Sequence, residues 1–137
     1  MSSALAAGPA LRHPATALRL TTFRLDPAIA VVEATGELDA ANARELVDHV
    51  VALRDHTALV LNLSDLAFFG TEGLWALNRV NGACAKRRAI AAIVAGREVH
   101  RLLRICDPHG GLRVHASMEQ AVAVARRRPH HLTAPPL

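Results

Sequence analysis

One stretch limits what this chain can fold into more than any other: Leu59-Val60-Leu61-Asn62-Leu63-Ser64-Asp65-Leu66-Ala67-Phe68-Phe69-Gly70-Thr71-Glu72-Gly73-Leu74-Trp75. Leu59 to Leu63 is nearly continuous apolar sequence, the mark of a strand covered on both faces. Asparagine and aspartate form strands poorly, so Asn62 to Asp65 should mark the exit from it. Gly70 and Gly73 bracket Thr71 and Glu72 where a helical period begins. A helix start leaves N–H groups unpaired and carries partial positive charge, so it favours phosphate or carboxylate. Thr71 therefore has two readings. Its hydroxyl can accept a phosphoryl group whose charge the helix start stabilises, or it is simply a helix cap.

The rest of the composition narrows the class. With 137 residues, 51% of them apolar, the chain is long enough for one small domain with a real core and is not a disordered one. No apolar run approaches the roughly 20 residues that span a bilayer. Met1 to Pro14 has no charged region followed by an apolar run, so it does not read as a secretory signal. Both absences point to the cytoplasm. The net charge of +4 is almost all arginine, with Lys86 the only lysine. Its two runs, Lys86-Arg87-Arg88 and Arg126-Arg127-Arg128, each close a predicted helix, where cations complement the dipole, and they do not read as a nucleic-acid patch. Cys84 and Cys106 form no CxxC, and each shares a helical stripe with apolar residues, so both are expected as core thiols, the alternative being a redox switch through a Cys84–Cys106 bond. The eight histidines show no HExxH and no zinc spacing, and His130-His131 sits in a Pro-rich tail. Nothing calls for a cofactor or a metal.

In chain order, 1–17 reads as a flexible arm, 18–128 as the domain and 129–137 as a tail. Leu18 to Leu25 and Ile29 to Thr35 are strands joined by the Asp26-Pro27 turn, an opening hairpin. Asp39 is a good N-cap for a helix from Ala40 to about Arg54, with Ala43, Leu46, Val47, Val50 and Leu53 as its stripe. Thr57 to Leu63 is the central strand, Gly70 to Arg88 the second helix and Ala89 to Val94 a further strand. A helix over Glu98 to Cys106 stops at Asp107 to Gly111, Leu112 to His115 is a short strand, and Ser117 caps a helix over Met118 to Arg128. The order β-β-α-β-α-β-α-β-α makes an α/β fold, a mixed sheet that is parallel after the hairpin, with about four helices. Contacts in such sheets gather at the carboxyl ends of strands, where Gly36 to Asp39 and Gly70 to Gly73 both lie.

These residues carry a resemblance. Gly-Glu-Leu-Asp at 36–39, Asn-Leu-Ser-Asp-Leu at 62–66, Gly-Thr-Glu-Gly-Leu at 70–74, and Gly96 before an amphipathic helix resemble a STAS domain, and more closely a bacterial anti-sigma factor antagonist. The match runs from about Leu20 to Arg126. The resemblance implies a binding module, not an enzyme. Its partner would be an anti-sigma factor that is also a serine/threonine kinase, and binding would release the sigma factor. The kinase would then phosphorylate the loop before the second helix, and binding would be lost. The family loop usually reads Asp-Ser-Ser/Thr-Gly-Leu. Here Gly70 stands for the aspartate, Thr71 for the phosphoacceptor and Glu72 for the second hydroxyl residue, while Gly73, Leu74 and Asp39 match. Losing the aspartate removes a cap, and Glu72 sets a carboxylate where it can repel a phosphate on Thr71.

Trp75 sits about 160° around the helix from Leu77 and shares a face with Thr71, four residues before it. Asn78, Arg79, Gly82 and Lys86 extend that face. The expected partner-binding residues are therefore Gly36, Asp39, Gly70, Thr71, Glu72, Gly73, Leu74, Trp75, Asn78, Arg79 and Gly82. No direct contact with nucleic acid or membrane is expected. A monomer is expected, with a dimer left open. The alternative reading is a STAS subunit that docks by the same helix face on the ABC-type ATPase of a transport complex.

Overall fold

The computed structural model describes residues 17–106 and 112–127. The expected arm up to Thr16, the helix stop at Asp107 to Gly111, Arg128 and the 129–137 tail lie outside the described residues. In order the elements are β1 (Arg19–Asp26), β2 (Ile29–Leu38), α1 (Ala43–Val51), β3 (Ala58–Leu63), β4 (Leu66–Phe69), α2 (Thr71–Lys86), β5 (Ile90–Ala95), α3 (Arg97–Cys106), β6 (Val114–His115) and α4 (Met118–Ala125).

The sheet runs β1-β2-β3-β5-β6, and β4 also pairs with β2. β1 and β2 form the antiparallel hairpin, and every other pairing is parallel. The apolar runs owe their continuity to helices on both faces. Leu59, Leu61 and Leu63 of β3, with Ala30, Val32 and Ala34 of β2, face a core shared with α1, α2 and α3. Ala58 and Val60, with Ile29 and Val31, face the opposite cluster, which α4 closes with Ala121, Val124 and Ala125. Ser117 caps α4 as expected, its Oγ accepting from Gln120 N at 3.2 Å. α2 ends in a Schellman turn: Ala89 N donates to Cys84 O at 2.8 Å and Arg88 N to Ala85 O at 3.0 Å, with Arg88 at φ 58.

Four expectations need correction. Leu66 to Phe69, read as loop, is strand β4, because β2 runs on to Leu38 and offers Gly36–Leu38 as a parallel partner. That pairing crosses a bulge where Gly36 takes φ 91, a conformation suited to glycine. α1 begins at Ala43, not at Ala40, because the preceding residues form a turn in which Asn42 N and Ala43 N both donate to Asp39 O. Its N-cap is accordingly Asn42 and not Asp39. The Asp39 side chain caps the turn instead, accepting from Ala41 N at 3.0 Å. Finally, Cys84 is buried but Cys106 is exposed. The last turn of α3 lies past the covered part of the helix, and Ile105 beside Cys106 is 73% exposed.

Gly96, between β5 and α3, packs against the backbone of the β3–β4 turn. A Cβ there would stand 2.4 Å from the Ser64 carbonyl oxygen. Gly96→Ala is expected to lower stability by about 1–3 kcal/mol, since the obstacle is backbone and cannot rotate away; urea unfolding measures it. His56, buried beside the start of β3, supplies a second prediction. Neither ring nitrogen makes a well-formed hydrogen bond to a described residue. Burial first, then the Arg87 charge, pushes its pKa below the ordinary 6.5, and the Arg54 backbone and Asp55 offset only part of this. The unfolded chain therefore takes up a proton first, and stability falls as pH drops below the ordinary value. The unfolding midpoint should drop between about pH 7.5 and 5.5, and drop less in His56→Phe.

Candidate functional site

The two glycine-bearing strand ends converge. Gly70 N donates to Leu38 O at 3.0 Å, so the start of α2 is tied to the end of β2. A buried Asn42 orders the facing turn. Its Nδ2 donates to Glu37 O at 2.9 Å, and its Oδ1 accepts from Asp39 N at 2.9 Å. Asn62 organises the neighbouring turn, accepting from Ser64 N at 3.1 Å and from Ser64 Oγ at 2.7 Å. Gly36, Asp39 and Gly70 are all half-buried within this junction.

Gly70 is the N-cap of α2, with extended backbone at φ −88 and no side-chain cap. Gly73 N closes the first turn on Gly70 O at 2.8 Å. Gly73 is buried because the Phe69 ring lies on it; a Cβ at 73 would meet that ring at 2.4 Å. Leu74 is half-buried against the core. These two shape the helix start, and the open surface comes from the other positions. Thr71, Glu72, Trp75, Asn78, Arg79 and Gly82 are all exposed. Asn78 donates back to Leu74 O at 3.0 Å, and nothing lies within 4 Å of the place a Gly82 Cβ would take. Trp75 is 38% exposed. The Arg79 guanidinium sits 5.2 Å from its ring centroid, and that of Arg44, on α1, 6.0 Å away.

Three residues of this site escape the sequence reading. Phe68 is 45% exposed, and its ring would lie 3.2 Å from a Cβ on Gly70. The pair Phe68-Phe69 on a short strand was the signal, since successive strand residues face opposite ways. Asn42 could have been found as a polar residue three after Asp39 at a strand-to-helix turn. Arg44 lies off the α1 stripe, and only the packing of α1 on α2 brings it to Trp75. Among the described residues, no group of three His, Cys, Asp or Glu could hold a metal, and no described helix is long and apolar enough to cross a membrane.

Glu72 reaches back to the cap position. Its Oε1 lies 3.3 Å from where a Cβ on Gly70 would be, so the carboxylate folds back over the cap position. A side chain at 70 would start beside that carboxylate, so an aspartate there would set two like charges close together. Gly70→Asp should therefore stabilise the Glu72→Ser variant more than the wild type, with a coupling of about 0.5–1 kcal/mol in a double-mutant cycle. Additive effects would mean that the two positions do not interact.

Residues 21–114 match the family model described as Mlab, STAS domain. Among solved structures, an anti-sigma factor antagonist from Mycobacterium paratuberculosis superposes with a TM-score of 0.74 at 23% identity, over 85% of this chain and 100% of that one. The antagonist SpoIIAA in its unphosphorylated form gives 0.65 at 13% identity, over 79% of this chain and 96% of that one. A putative antagonist from Thermotoga maritima gives 0.67 at 16% identity, over 79% and 95%. No curated protein sequence matches the chain.

Proposed function

The chain belongs to the STAS domain family, and on that premise we propose that it is an anti-sigma factor antagonist, a binding module that engages an anti-sigma factor and so releases a sigma factor. The observation that carries this reading is the arrangement at the start of α2: an exposed Thr71 one helical turn from an exposed Trp75, at the converging ends of β2 and β4. The partner-facing set is Gly36, Asp39, Gly70, Thr71, Glu72 and Trp75, extended by Asn78, Arg79 and Gly82, with the buried Gly73 and half-buried Leu74 shaping the helix start behind it. The fold of SpoIIAA, which is known in both unphosphorylated and phosphorylated forms, is consistent with the reading.

The proposed switch is chemical. A kinase partner transfers the γ-phosphoryl group of ATP to Thr71 Oγ1; the hydroxyl loses its proton and ADP leaves. The product adds about −1.5 to −2 charge and three acceptor oxygens. Unpaired N–H groups at the helix start can satisfy it in the free domain. In a complex built around a neutral hydroxyl the same charge must shed water against the partner, so binding falls without refolding of the domain. Glu72 already supplies one negative charge beside the site and weakens the contrast between the two states.

A second reading gives the same face another partner, the ABC-type ATPase of a transport complex. The matching family model is described as a STAS domain and names no antagonist, so this reading is as consistent with it as the first.

A titration panel tests both. The full chain is titrated against each purified anti-sigma factor kinase, and each ABC-type ATPase, of the source genome. One anti-sigma factor should bind. Thr71→Glu should weaken that binding strongly, Thr71→Val should bind but take up no phosphate, and Glu72→Ser should be phosphorylated faster. Trp75→Ala should cost about 2 kcal/mol of affinity with little change in melting temperature. Equal affinity for wild type and Thr71→Glu would remove the switch and leave a docking module, and binding to an ATPase alone would replace the antagonist reading.

A further inference from the structure

Arg44 and Arg79 come from different helices and meet over one indole. Their guanidinium carbons lie 6.0 and 5.2 Å from the Trp75 ring centroid. Asp48, one turn beyond Arg44 on α1, is the carboxylate that helix spacing would ordinarily pair with it. Arg44 lies over Trp75 instead, and neither guanidinium is in an ion pair with a described residue. The α1–α2 seam thus presents two cationic groups that no described carboxylate neutralises, set around an exposed apolar ring. A guanidinium stacked on an aromatic face keeps N–H donors free along its edge, in a fork that matches a carboxylate.

We propose that this Arg44–Trp75–Arg79 cluster is the recognition element for an acidic protein surface, one that presents aspartate or glutamate around an apolar residue seated beside Trp75. The proposal rests on the docking role of this helix face set out above, and it adds the chemistry of the partner. Charge complementarity selects the occupant. A polyphosphate such as nucleic acid would also meet the exposed carboxylates of Glu45 and Asp48 on α1 and Glu72 on α2. A protein surface with a few placed carboxylates can pair with the two arginines and avoid those three.

The test uses a phage-displayed library of random peptides selected on the immobilised full chain. Three forms are compared: wild type, Arg44→Ala/Arg79→Ala, and Arg44→Lys/Arg79→Lys. Thermal melts establish which variants are folded. Peptides recovered on the wild type should be rich in Asp and Glu flanking an apolar residue. Synthetic copies should bind the alanine variant about tenfold more weakly, and the lysine variant should keep the acidic preference. Peptides of neutral or basic composition would overturn the proposal. So would undiminished binding to a folded alanine variant, or no enrichment over an uncoated surface. Acidic peptides recovered by a chain that binds no anti-sigma factor in the panel would refute the antagonist reading and leave this one standing. An anti-sigma factor bound through this face without acidic preference would do the reverse.

Discussion

Strand β2 carries the domain because one of its sides is paired twice. Ile29 to Glu33 pair with β3, and Gly36 to Leu38 pair with β4, two successive pieces of the same chain. The turn between those pieces, at Ser64 and Asp65, leaves the sheet and returns to it, and the bulge at Gly36 absorbs the change of register. The last link is the hydrogen bond from Gly70 N to Leu38 O, which sets where α2 begins. From there the position of Thr71, the contact of Phe69 with Gly73 and the seating of α2 against α1 all follow. Gly96 presses on the Ser64 backbone from the other side and leaves the turn little room to move.

The parts of this arrangement that depend on burial alone were legible in the residues. β3 and β5 are buried on both faces, so their apolar runs stand out, and the stripe of α1 was found because Ala43, Leu46 and Val50 recur at helical spacing. What depends on pairing was not legible. β4 has only four residues, with Leu66 and Phe69 buried and the two between them exposed, so it has no alternation to detect. Its existence comes from the free edge of β2 and not from its own composition. Cys106 shows the same limit in a helix. Periodicity tells which side of α3 faces inward, but not where along its axis the covering surface ends.

At the site, the positions that matter were visible as a set, while their division of labour was not. Gly73 and Leu74 work inward, and Thr71, Trp75 and Arg79 outward. The place of Glu72 could not be read from a linear motif. Its carboxylate lies over Gly70, so the space at the cap position is already taken by an acid carried two residues later. Arg44 belongs to a different helix and a different part of the chain, and only the α1–α2 packing makes it a neighbour of Trp75.

The unlike cysteines give the domain a built-in chemical address. The Cys84 thiol is buried in the core and its pKa is pushed up to about 11, so at neutral pH it has neither access nor thiolate. Cys106 is exposed at the end of α3. One fluorophore or spin label can therefore be attached at a known helix end without changing a residue. Loss of that selectivity, with Cys84 beginning to react, would report that the core around α2 has opened.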